Sequence, residues 1–75
     1  MKVESAGFLY AEVVAYEKVT VLEVYRSIRV DLAGEVYAPV RTFLAANEHE
    51  QISEVEVEDP EMYGQKAIRT FYRLV

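Results

Sequence analysis

The sequence predicts a small β-rich domain, all-β or β-rich α+β, with about five antiparallel strands, arranged as a meander or as an OB-like, partly open barrel, and at most one helix. Three observations carry this expectation. The chain has 75 residues, enough for one hydrophobic core and not for two, so residues 1–75 read as a single domain. It is 52% hydrophobic, with twelve valines and six tyrosines, residue types that suit a pleated, half-buried surface. Turn signals near Lys18, at Ala33-Gly34-Glu35, from Asn47 to Gln51 and from Pro60 to Gln65 cut the chain into five segments, the spacing of a small all-β fold.

The first segment, Val3 to Lys18, alternates Phe8, Tyr10, Val14 and Tyr16 with Leu9, Ala11, Val13 and Ala15. Both sets are apolar, and a strand apolar on both sides is buried on both. In so short a chain the second cover comes from a neighbouring subunit or from a bent barrel strand. Phe8, Tyr10 and Tyr16 are therefore the candidate self-association residues.

The second segment places Leu22, Val24, Ile28, Val30 and Leu32 on one side, interrupted by Arg26, and Glu23, Tyr25, Ser27, Arg29 and Asp31 on the other. That period of two predicts a strand. A helix competes: Thr20 and Glu23 form a capping-box pattern, Val21, Val24, Tyr25, Ile28 and Leu32 share a helical face, and Gly34 stands where a helix would stop. Strand and helix both stay open for residues 20–33.

After Gly34, Val36, Ala38, Val40, Thr42 and Leu44 alternate with Tyr37, Pro39, Arg41 and Phe43. This predicts a third strand, held to a sheet edge by Pro39, which has no N–H to donate. Asn47, with Glu50 three residues on, predicts one capped helical turn within Ala45 to Gln51. Ile52–Asp59 and Lys66–Val75 then read as an antiparallel hairpin. With Asp59 opposite Lys66, Glu56 meets Arg69, Ile52 meets Arg73 and Val57 meets Ile68, giving one apolar face and one face of acid–base pairs.

Charge is distributed unevenly. The net charge is −5, and residues 47–61 hold seven acids, Glu48, Glu50, Glu54, Glu56, Glu58, Asp59 and Glu61, with no lysine or arginine. A run of this kind is ordinarily a solvated face. Its sharper meaning is a docking surface for a basic protein, or a mimic of nucleic-acid phosphate, carried by Glu48, Glu50, Glu54, Glu58 and Glu61.

Several chemistries find no support. There is no cysteine, which removes disulfides, thiolate zinc sites and thiol catalysis. The single histidine, His49, has acids on both sides in sequence, but neighbouring residues do not converge on a metal, so it reads as an exposed loop residue. The three glycines are scattered and make no phosphate loop. Scattered arginines at a pI near 4.8 do not form the basic aromatic stripe of a nucleic-acid surface. The longest uncharged run, Ser5 to Ala11, falls far short of the roughly 20 residues of a membrane span, and the start Met1-Lys2-Val3-Glu4 does not read as an export signal. The expectation is a cytoplasmic, non-enzymatic, acidic interaction module without metal or cofactor. It self-associates and neither contacts nucleic acid directly nor enters a membrane. The alternative is a virus-encoded inhibitor whose face at 48–61 blocks a basic site on a host protein.

Overall fold

Alternating apolar residues build five strands here, and they assemble into one antiparallel sheet. The structure, a computed structural model, describes residues 1–6, 9–27, 37–59 and 64–75. The strands are β1 (Lys2–Ala6), β2 (Leu9–Tyr16), β3 (Val19–Ser27), β4 (His49–Glu58) and β5 (Lys66–Leu74), and one helix, α1 (Ala38–Ala46), lies between β3 and β4 in sequence. The sheet order is β1-β2-β3-β5-β4. β1, β2 and β3 form a meander, and β5 inserts between β3 and β4, so that among the described residues β1 and β4 are the two edges.

Register separates the two faces. Across the sheet Val13, Leu22, Tyr72 and Gln51 lie in one row, and Ala11, Val24, Thr70 and Glu54 in the next. This side is the covered face. Leu9, Ala11, Leu22 and Val24 bury there against Val40 of α1, with Val3, Val13, Tyr37, Phe43, Leu44, Tyr72 and Leu74 packed around them. The other side, the open face, carries rows such as Tyr10, Tyr25, Arg69 and Val55.

The β-rich class, the strand number and the single short helix agree with the sequence reading, but the parts are distributed differently. The first segment is two strands, β1 and β2. The segment expected as a third strand is α1. Pro39 stands in the first turn of that helix, where its missing N–H is one the helix would leave unpaired anyway and its φ is preset. Tyr37, Val40 and Leu44 then recur at helical spacing on the core side. Asn47 ends this helix instead of starting one: its side-chain amide donates to the Phe43 carbonyl at 2.8 Å. Val19–Ser27 is strand, which settles that part of the competition, and residues 28–36 lie outside the described residues.

The hairpin of β4 and β5 forms, but its register differs by one from the expected one. Glu58 is opposite Lys66, Glu56 opposite Ile68 and Val55 opposite Arg69. The ladder then shifts between Gln51 and Ser53, so that Glu50 meets Arg73 and His49 meets Leu74. Ile52 is the extra residue of this bulge and has no cross-strand partner. The expected pairing of charges at the hairpin end is outweighed from the β3 side. Ile68 shares the covered face with Arg26, and Arg69 shares the open face with Tyr25 and binds Glu23.

Two tight turns frame the sheet. Glu17 and Lys18 join β2 to β3, with Glu17 at φ 57°, a conformation that costs a residue with a side chain on the order of 1–2 kcal/mol. Gly64 adopts φ 83° just before β5, which glycine does freely.

Candidate functional site

Three groups of side chains are candidates for a site. The first lies at the start of α1. Tyr37 has the guanidinium groups of Arg26 and Arg41 each 5.8 Å from its ring centre. Tyr37 is also hydrogen-bonded to Tyr72, whose phenol is pushed up to about 12, first by burial and then by Tyr37. His49 meets the Tyr72 ring edge-on at 5.7 Å. Its Nδ1 lies 2.8 Å from the Asn47 carbonyl, and because a carbonyl only accepts, Nδ1 carries the proton. His49 is exposed, as expected, but it is the first residue of β4 and not a loop residue. A phenol held protonated is a donor at neutral pH and not a base. The cluster fastens the helix to β5, and it contains no nucleophile oriented by a base.

The second group is the open face. Tyr10 and Tyr16 stand on it three repeats of the pleat apart on β2, with Glu12 and Val14 between them. Tyr16 is 57% exposed, Val19 41% and Val55 47%; Tyr10, Val14, Tyr25, Val57 and Phe71 are half-buried. Tyr10, Glu23, Tyr25, Val57, Glu58 and Arg69 line a shallow concavity of about 470 Å³. Its polar part is an ion pair between the Arg69 guanidinium and the Glu23 carboxylate, with Arg69 also 5.8 Å from the Phe71 ring centre. Glu12 is directly opposite Glu23, and Tyr10 donates to Glu12, which raises the Tyr10 pKa, with burial and Glu23 adding to the effect. Phe8, the third expected self-association residue, lies outside the described residues.

The third group is the acidic strand. Glu54, Glu56 and Glu58 alternate along β4 opposite Thr70, Ile68 and Lys66, Glu58 at the strand end also bordering the open-face concavity, and all three are exposed. None has an ion-pair partner among the described residues, although Lys66 stands across from Glu58. Glu50 is on the opposite face, paired with the Arg73 guanidinium. Glu48 precedes the strand, its carbonyl accepting from the Val75 amide at 3.1 Å. Glu61 lies outside the described residues. Asp59 is 5% exposed, with the Tyr25 hydroxyl donating to its carboxylate at 3.5 Å, so its side chain is not part of the exposed acidic row. The structure thus brings Glu54 and Glu58 together, adds Glu56, and sends Glu50 elsewhere. Sequence reasoning missed Val55, Val57, Tyr25 and Phe71 as lining of the open face. The signal was present in their alternation, but it leads to the right face only with the observed register.

Among the described residues no group of three acidic or histidine side chains could hold a metal ion. No helix of the described residues is long and apolar enough to cross a membrane.

Comparison with known proteins places the chain in a family. Residues 2–75 match the gene product 70 family, and the chain belongs to it. The family name is a gene number and states no activity. No curated protein and no solved structure matches the chain.

Proposed function

We propose that this member of the gene product 70 family is a non-enzymatic protein–protein interaction module that self-associates through the open face of its sheet and acts in the cytoplasm. One observation carries the reading. The single described helix covers one face of the sheet, while Tyr10, Val14, Tyr16, Val55 and Phe71 on the other remain half-buried or exposed. A tyrosine-rich apolar face buries its rings against a partner and keeps its hydroxyls wet. The molecule measures 35 × 27 × 18 Å, so its broad face offers about 900 Å², against the ~800 Å² per partner of a standard interface. Sedimentation of the full chain is expected to show a dimer or larger at micromolar concentration. Replacing Tyr16 and Val55 by serine is expected to shift it to monomer with little change in melting temperature, since both side chains are exposed. A wild-type chain that stays a monomer at high concentration would end this reading.

A second reading is favoured by the exposed row of Glu54, Glu56 and Glu58. In it the strand is the acidic face of a virus-encoded inhibitor that resembles nucleic-acid phosphate and occupies a basic site on a host protein. Nucleic acid would then compete with the chain for its partner, and the complex would weaken as salt rises.

A further inference from the structure

We propose that the free edge of β4 takes up an extended segment of a basic protein as a sixth strand, one in which lysine or arginine alternates with apolar side chains. The inference deepens the reading of the acidic strand as a binding surface and rests on it.

Among the described residues β4 is the last strand of the sheet and pairs only with β5. It is ten residues long, and every residue except the half-buried Val57 is exposed. The outward N–H and C=O groups of such an edge form a template for another strand. An added strand matches its neighbour side by side, with alternate side chains on alternate faces. On one side of β4 it would meet Glu54, Glu56 and Glu58, which call for cations. On the other it would meet Val55 and Val57, which call for apolar groups.

A second copy of β4 does not meet this requirement. The strand carries Glu50, Glu54, Glu56 and Glu58 and no lysine or arginine. Pairing with itself sets acid against acid or against an uncharged group, and never against a strong base. The edge therefore rejects its own kind and selects a basic strand, with attraction and repulsion both contributing to the choice. The other edge, β1, is five residues long, carries Lys2 and Glu4 of opposite sign and is broken by a register shift. It is the poorer template.

The test uses a fluorescent ten-residue peptide of alternating lysine and valine, titrated onto the full chain at low salt, with amide hydrogen exchange to locate it. Binding is expected to slow exchange at alternate amides of β4 and not at β1. A peptide of the same composition, with its lysines in one block and its valines in another, is expected to bind about tenfold more weakly. Methylating the backbone nitrogens of either the lysines or the valines removes the donors of one strand edge. One of these two peptides is expected to lose about a hundredfold in affinity and the other to bind like the parent. The combined substitutions Glu54→Gln, Glu56→Gln and Glu58→Gln are expected to weaken the parent peptide about tenfold and flatten its salt dependence. Strand addition is overturned if the block peptide binds equally well, if both methylated peptides bind like the parent, or if exchange in β4 is unchanged. Polylysine separates the two levels. If it still binds in a salt-sensitive way that the triple substitution removes, the acidic surface stands and only strand addition falls; if it is indifferent to the substitution, both fall. Self-association is read independently by sedimentation.

Discussion

The ion pair of Arg69 and Glu23 is the central charged contact of the open face, and its removal has a calculable effect. Glu23 has a side chain 18% exposed and stands across from Glu12, while Arg69 is 45% exposed. At an effective dielectric near 20, a pair at 4 Å attracts by about 4 kcal/mol before desolvation is subtracted. Solvent around the half-exposed guanidinium reduces the net coupling to about 1 kcal/mol. The contact of Arg69 with the Phe71 ring adds roughly 0.5–1 kcal/mol, and the facing carboxylates of Glu12 and Glu23 lose their nearest cation. Arg69→Met is therefore expected to cost about 2 kcal/mol and Glu23→Gln about 1 kcal/mol, with a coupling of about 1 kcal/mol between them. For a chain of this size, 2 kcal/mol corresponds to a melting point lower by roughly 10 °C. Urea unfolding of the four variants at one fixed protein concentration measures the cycle, because association shifts apparent stability. Glu56 and Arg69 lie on opposite faces and are expected to show no coupling. A Glu56–Arg69 coupling larger than that of Glu23–Arg69 would refute the register on which this argument stands.

Two other expectations follow from particular residues. The Tyr72 phenol is raised to about 12 in the folded chain against about 10 when unfolded, so the unfolded state loses its proton first and stability falls as pH rises from about 10 towards 12. Tyr72→Phe is expected to remove that part of the alkaline loss, measured by urea midpoints across the range; an unchanged pH profile would contradict the buried, Tyr37-bonded phenol. Glu17→Asn is expected to stabilise the β2–β3 turn by up to about 1 kcal/mol, since asparagine tolerates positive φ. A lower urea midpoint for this variant would contradict the strained turn.

Much of the fold was legible wherever side chains alternate without competition. β3 and the β4–β5 hairpin follow from their valines, tyrosines and polar alternates, and the turn near Lys18 from the break between two apolar runs. The segment from Val36 to Leu44 misled because its apolar residues fit a period of two as well as a helical one. Pro39 fits both an edge strand and a helix start, and only Val40 packing on Leu22 and Val24 decides between them. Register was illegible from the hairpin alone. Charge pairing between Ile52–Asp59 and Lys66–Val75 favoured one alignment, yet β5 has a second neighbour, β3, which no local pattern reveals. Arg69 answers to Glu23, 46 positions earlier in the chain. The acidic run was visible in composition, but its division between two faces depends on a local irregularity that no residue type announces.

That irregularity, the bulge at Ile52, acts as a phase shifter for charge. Glu50, Glu54, Glu56 and Glu58 all occupy even positions, and in an unbroken strand all four would face the same way. One surplus residue turns the phase by half a period, sending Glu50 to Arg73 on one side and bringing His49 to Tyr72 on the other. An unbulged strand, with Ile52 paired to Tyr72, would leave composition and net charge untouched. It would nonetheless move a fourth carboxylate into the acidic row, strand Arg73 without its acid and detach His49 from the helix-bearing layer. In this small sheet the register of one strand end is thus an electrostatic variable: the same residues present a different charged surface when the bulge is lost.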